Sequence, residues 1–398
     1  MHMPSSTSIT RRRHLYWLAS SAACISGLPS TSASAPSSIK FGQSAPVSGH
    51  NAHLGLEYNR GLRLAFDEIN ARGGVQGREM ELVLYDDAHE PAIAMENTTN
   101  LIGVDKVFAL LGYVGSATTE RCMPLASRAG VPMLAPLTGA QSLRQAAGRL
   151  LWHLRPSYSE ELRLLAQAIA TVGYRRVAVL MQNDQDGEAA LQALKQAMAD
   201  AQLPAPSEAV RIESDYFLNA DGREKIVTQA GQRLLATQPQ AVIFLSVYAW
   251  TAALLKQLRK TGYVGPAYAI SLASAASIGA LLGPQAAGLM VTQVVPSPFH
   301  VALPMVAAYQ KRLHQSDAAA VPEYVSLEGW MVGMAIAQAL RLSLRRAPAL
   351  RRDDFMSALE ELKGYDLGGF ILGWDQAKRQ ASSRVTLTIL DATGRPRV

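Results

Sequence analysis

Two short turns carry small polar residues where a folded chain could hold an anion. Gly112-Tyr113-Val114-Gly115-Ser116 follows the apolar run Val107-Phe108-Ala109-Leu110-Leu111, and Pro136-Leu137-Thr138-Gly139-Ala140 follows a second, Val131-Pro132-Met133-Leu134. Each turn offers backbone N–H groups and a hydroxyl where a helical segment begins, which suits an anion or a carboxylate. One such turn alone is ordinary punctuation by Gly and Ser. Two in a single βαβ unit point to a site without naming its ligand. Asp86-Asp87-Ala88-His89-Glu90 and His50-x-x-His53 contain metal-ligating residue types. No second cluster has metal-site spacing, so a strand-end turn accounts for the acids and a loop for the histidines. Ser37-x-x-Lys40 has the form of a Ser–Lys pair but lies at the start of the mature chain. The phosphate loop, the dinucleotide-binding glycine pattern and the nucleophile elbow are all missing from the sequence. Cys122 sits inside a helical pattern and reads as a small buried apolar residue. The expectation is a protein without catalytic residues, metal or cofactor.

The elements that position these turns alternate in type. Strands are predicted at 39–44, 80–85, 107–111 and 131–134, separated by helical patterns, the first with Tyr58, Leu62, Ala65, Phe66 and Ile69 on one face. Residues 149–155 read as a crossover strand, and Ser157-x-x-Glu160 as a capping box. A second series then begins, with strands at 176–181, near Val210, and at 241–246, 267–271 and 288–295. Helices are predicted at 302–315, 324–345 and 352–362, and a final hairpin from 369–374 and 384–390. Alternating βα units give parallel sheets, whose ligands bind beyond the carboxyl ends of the strands. Two such sets, before and after about residue 156, predict an α/β protein of two Rossmann-like lobes with a ligand cleft between them.

At 398 residues, with 48% apolar and 18% charged residues, the chain has material for two cores. Its pI near 9.3 invites a nucleic-acid reading. Residues 1–35, however, hold three arginines and no acid, so removing them takes Lys+Arg from 38 to 35 against 32 acids and the net charge from +6 to +3. No long basic run remains, and nucleic acid is not an expected partner. Residues 1–35 read as a signal peptide, with a basic start, an apolar segment at 15–28 and small residues at 30–35. Cleavage boxes lie at Thr31-Ser32-Ala33 and Ala33-Ser34-Ala35, and Pro36 disfavours the second. Thr10-Arg11-Arg12-Arg13-His14-Leu15 resembles a twin-arginine signal. His14 stands where that pattern usually has Phe, which leaves the ordinary secretory route open. Cys24 raises lipid anchoring, but Ser21-Ala22-Ala23 lacks the aliphatic start of a lipobox. In the mature chain Cys122 stands alone, so no internal disulfide is expected.

The order of features resembles the type I periplasmic binding proteins, the branch holding leucine/isoleucine/valine-binding proteins of ABC importers. The resemblance rests on 44–49, on Asp67-Glu68-Ile69-Asn70-Ala71-Arg72-Gly73-Gly74-Val75-x-Gly77, on Tyr85-Asp86-Asp87, on the two turns above, and on Tyr365-Asp366-Leu367-Gly368-Gly369. It implies a monomeric exported receptor, not an enzyme, that traps a small molecule between lobes joined by three crossovers. Lobe I would take 36–155 and 299–362, and lobe II 156–298 and 363–398. The partner would be a membrane permease, or, in the same fold used as a sensor, a membrane signalling protein. By resemblance, Ser116 and Thr138-Gly139 hold the ligand carboxylate, with Tyr113, Gly115 and Leu137 beside them. Leu54, Asp186, Tyr248 and Leu272 complete the expected ligand-binding set. Three of these depart from the family pattern: Leu54 replaces an aromatic, Asp186 a Tyr or Phe, and Leu272 falls where an acid pairs with the ligand ammonium. An unpaired buried ammonium costs roughly 3–5 kcal/mol, so the ligand expected here is not ordinary leucine, isoleucine or valine but a carboxylate-bearing aromatic, an amide or another metabolite. Asp186 could return the lost charge from another direction.

Overall fold

The computed structural model describes residues 38–397 apart from 50, 147 and 214–219. The predicted signal peptide, cleavage boxes and Cys24 lie outside the described residues. The first βα series forms a parallel sheet of β1 (Ile39–Ala45), β2 (Met80–Asp86), β3 (Ala109–Leu111), β4 (Met133–Leu134) and β5 (Leu151–Trp152), in the order β2-β1-β3-β4-β5. Helices α1 (Ala52–Ala71), α2 (Pro91–Gly103), α3 (Ser116–Arg128) and α4 (Ser142–Ala146) connect the strands. Covered on both faces, such strands read as unbroken apolar runs, and β3 and β4 are wholly buried.

The second series forms its own sheet. Strands β6 (Val177–Gln182), β7 (Glu208–Ile212), β8 (Ala241–Leu245), β9 (Ala267–Ala269) and β10 (Leu289–Gln293) run parallel in the order β7-β6-β8-β9-β10. Helices α5 (Tyr158–Val172), α6 (Gln185–Asp200), α7 (Ala220–Ala236), α8 (Tyr248–Lys260) and α9 (Ala275–Leu282) accompany them. After β10 the chain returns to the first lobe as α10 (Pro304–Ser316), α11 (Tyr324–Arg346) and α12 (Arg352–Glu360), then ends in the second sheet as β11 (Thr386–Leu390) and β12 (Pro396–Arg397). The chain thus crosses between two lobes three times. No helix among the described residues is long and apolar enough to cross a membrane.

The end of the chain differs from expectation. The antiparallel pairs of β11 are β10 and β12, not residues 369–374. The apolar alternation at 369–374 has another cause: Phe370 and Leu372, with Ala381, are buried in the first lobe's core. Residues 370–381 therefore pack on lobe I, whereas the sequence divided the lobes at 363.

Two features hold the frame. Helix α1 lies on α11 with its apolar face inward, and a Cβ at Gly61 would stand 1.9 Å from the Ser326 carbonyl oxygen. Only a glycine permits that backbone approach. The crossovers are fastened by buried charge. Arg155 donates Nε to Glu328 Oε1 at 2.9 Å and a terminal nitrogen to Oε2 at 2.8 Å. Arg144 donates to the carbonyls of Arg155 and Pro156 at 2.9 Å each and to Gln380 Oε1 at 3.2 Å. The predicted capping box is present, and Glu160 also accepts from Gln380 and Lys378 of the third crossover. Burial alone would raise the Glu160 carboxyl, but the Ser157 N–H, Gln380 and Lys378 outweigh it and hold it down at about 2.

Candidate functional site

The carboxyl ends of β2 and β3 in lobe I and of β6, β8 and β9 in lobe II converge on a cavity of about 270 Å³. The two turns singled out in the sequence are tied together by backbone. Leu137 N–H donates to the Tyr113 carbonyl at 2.7 Å, and Gly115 N–H to the Leu137 carbonyl at 3.3 Å. Gly115 has φ +92°, and an added Cβ would stand 2.6 Å from the His89 ring. That left-handed turn starts α3 at Ser116, so the orphan N–H groups of its first turn lie at this end of the cavity. Ser116, Ala117 and Thr118 line it. The Ser116 and Thr138 hydroxyls hydrogen-bond each other, and Thr138 Oγ1 accepts from Ala140 N–H at 3.1 Å. Gly139 is tied to the start of α5 in lobe II, its carbonyl accepting from Tyr158 N–H at 2.8 Å.

The expected site residues fall into groups. Gly115, Ser116 and Leu272 line the cavity. Thr138 and Gly139 sit behind it and set the position of Ser116 and Tyr158. Tyr113 and Leu137 are buried in the two cores of lobe I, and the Tyr113 hydroxyl lies 2.7 Å from Thr98 Oγ1. Leu54 is 1% exposed in the first core. These three are buried in the lobe I cores and are not among the residues lining the cavity. Tyr248 opens α8, with its ring 5.9 Å from that of His53, whose Nε2 lies 2.8 Å from Glu323 Oε2. Asp186 stands in the first turn of α6, and its side chain lies outside the described residues. Leu272 is half-buried and touches cores of both lobes.

The cavity also holds residues outside the expected ligand-binding set. His89, Glu90 and Pro91 follow β2, Gln182 ends β6, and Asp184 follows it. Ala88 and His89 are both left-handed, at φ +48° and +68°. Asp87, beneath them, accepts from the Ser44 hydroxyl at 2.8 Å and His89 N–H at 2.9 Å. Burial raises its carboxyl to about 6 against those donors. Burial lowers the His89 imidazole to about 4, opposed by the nearby Asp184 carboxylate. Position just past a parallel strand was the signal for both segments. Cys122 is buried in the lobe I core, and burial lifts its thiol to about 11.

Two α/β lobes, with a cavity between the carboxyl ends of their strands, define a two-lobed binding protein. Residues 38–395 match the Periplasmic binding protein family, and the chain belongs to it. A 115-residue stretch is 33% identical to an amino acid binding protein of Pseudomonas aeruginosa, covering 29% of this chain and 31% of that protein. The Leu/Ile/Val-binding protein of Escherichia coli K12 is 24% identical over 83% of this chain and 90% of its own length. A crystal structure of a possible leucine/isoleucine/valine-binding protein from Rhodopirellula baltica superposes with TM-score 0.82 at 27% identity, covering 92% of this chain and 97% of that one. These relatives are binding proteins rather than enzymes, and the family is one of exported periplasmic proteins.

Proposed function

We propose that this protein is the extracytoplasmic receptor of an ABC importer, trapping a small carboxylate- or amide-bearing solute by closure of the two lobes and presenting the closed form to a membrane permease. The observation that carries this reading is the cavity itself, lined from both lobes by residues that follow parallel strands. In this reading the solute's carboxylate or amide oxygen meets the first turn of α3. It takes N–H groups at the positive end of that helix and the Ser116 hydroxyl, which Thr138 aligns. The apolar wall of Leu245, Val247, Ile270 and Leu272 receives the remainder. Closure bends the three crossovers, and the Arg155–Glu328 pair keeps the first of them in register. Residues 1–35 direct export.

Native mass spectrometry of protein purified from the periplasm, followed by a thermal-shift panel of amino acids, aromatic acids and small amides, tests this. A solute that binds only the folded form adds ~2.7 kcal/mol at a hundredfold excess over its dissociation constant. Ser116→Ala should weaken its binding by about ten- to a hundredfold, the loss of one hydrogen bond to a charged group. An unaltered affinity in that variant would remove the α3 turn from the site.

A further inference from the structure

A second cavity lies at the other end of the lobe I sheet. It measures about 1070 Å³ and opens where β1, β3, β4 and β5 begin, beside the start of α12. The solute cleft lies past the carboxyl ends of strands in the same sheet, and the two cavities share no lining residue. Lys40, Lys106, Arg149, Arg351 and Arg352 line the second cavity against Asp105 and Asp353, a formal excess of three positive charges. Residues 36–398, with 35 basic and 32 acidic side chains, carry an excess of three in all. The positive charge of that stretch is therefore concentrated in one groove, which raises the local concentration of anions.

The basic side chains are poorly matched by acids. Among the described residues Lys40 and Lys106 form no ion pair. Arg352 donates Nε to the Phe108 carbonyl at 2.8 Å and a terminal nitrogen to the Val107 carbonyl at 2.9 Å. Carbonyls fix that guanidinium in place without neutralising it. Arg149 stands 3.7 Å from Glu360, a carboxylate that also accepts from Arg379 at 3.1 Å. Arg351 is 4.0 Å from Asp354. Of the two lining acids, Asp105 accepts from the Tyr85 hydroxyl at 3.0 Å, and Asp353 stands in the first turn of α12. No side chain caps α12 at Arg351, so the free N–H groups of its first turn add to the same field. Phe108, Leu150, Leu350 and Met356 make another part of the lining apolar.

Basic and apolar linings in one groove suit an anion that carries an apolar body. Arginine forks match the spacing of phosphate oxygens, and a phosphate monoester bears nearly two negative charges at neutral pH. We infer that this groove is a second binding site, for an organic phosphate whose phosphoryl group meets the basic side chains and whose apolar part meets Phe108 and Met356. The inference is independent of the solute cleft.

Calorimetry in about 0.15 M salt tests it with phenyl phosphate, inorganic phosphate and dihexanoyl phosphatidic acid. An ester should bind saturably and about fivefold or more tighter than inorganic phosphate. Lys106→Gln and Arg351→Gln together should weaken it by about tenfold or more. Both positions are exposed, so the melting temperature should stay near the native value. Lys106→Arg with Arg351→Lys, which keeps both charges, should retain binding. Ser116→Ala, at the solute cleft, should leave it unchanged. Tighter binding of the phosphatidic acid than of phenyl phosphate identifies a lipid headgroup as the source, and the reverse order a soluble ester. No saturable binding of either ester overturns the inference, as does inorganic phosphate binding equally well. Binding that survives the double Gln variant, or that falls in Ser116→Ala, overturns it too. The receptor reading stands or falls separately, on the solute panel.

Discussion

Where lobe I meets the cleft, much of the surface is backbone and hydroxyl: Gly115, Ser116 and Thr118, backed by Thr138 and by the hydrogen bonds that join two turns. Where lobe II meets it, the surface includes the apolar side chains of Leu245, Val247, Ile270 and Leu272 beside the polar Gln182 and Asp184. The first edge takes its shape from main-chain geometry, which a single methyl would disturb. The second takes its shape from side chains, which can be exchanged without moving the chain. In the proposed reading, a cleft built this way meets the polar end of a solute with one lobe and its bulk with the other.

That division requires the two edges to meet in register, and the largest effect is expected where the crossovers are fastened. Arg155→Ala would leave Glu328 charged and buried, which costs about 3–5 kcal/mol. Replacing both members by Met should recover most of the loss, because well-packed apolar residues often substitute for a buried ion pair. Urea denaturation of the three proteins checks this, and a double variant no more stable than Arg155→Ala would show that the pair does more than satisfy itself.

The contrast between the edges is tested next by two substitutions. In Gly139→Ala the new methyl would meet the Tyr158 ring at 2.3 Å and the Tyr158 backbone nitrogen at 2.7 Å, and backbone cannot step aside. A loss of about 1–3 kcal/mol is expected, with weaker solute binding. Leu272→Met conserves volume on the opposite edge and should cost under about 1.5 kcal/mol. Equal losses in the two variants, read from thermal melts, would erase the distinction drawn here.

The same contrast explains what the sequence could disclose. The lobe I turns were legible because glycine and hydroxyl residues at strand ends are local signals, and the local chain does much of the work there. Both sheets, α11 and the Ser157–Glu160 box were legible for the same reason, through periodicity and capping chemistry. The lobe II edge was not. Leu245 and Ile270 read as strand interior, and nothing local marks them as a cavity wall. Asp184 and His89 acquire their meaning only from facing each other across a cleft, far apart in sequence. The alternation at 369–374 misled because burial on lobe I and pairing in a sheet leave the same pattern over six residues.

The smallest expected effect concerns acid. His89 titrates lower in the folded protein, at about 4, than its ordinary value of ~6.5. The unfolded chain therefore binds more protons there, and this contribution to stability falls as pH drops from ~6.5 towards 4. Asp87 has the opposite sign. Its folded carboxyl lies at about 6, above the ordinary ~3.9, so its contribution is present in acid and is lost as pH rises through 6. The two are adjacent, joined by the His89 N–H to Asp87 bond, and between about pH 4 and 6 their slopes oppose each other. Removing either should expose the other. Asp87→Asn should lose more stability than the native protein between pH 7 and pH 5, and His89→Gln should lose less or gain. Urea midpoints at the two pH values measure the difference, and parallel behaviour of both variants would mean that the lobe I edge is not electrostatically poised.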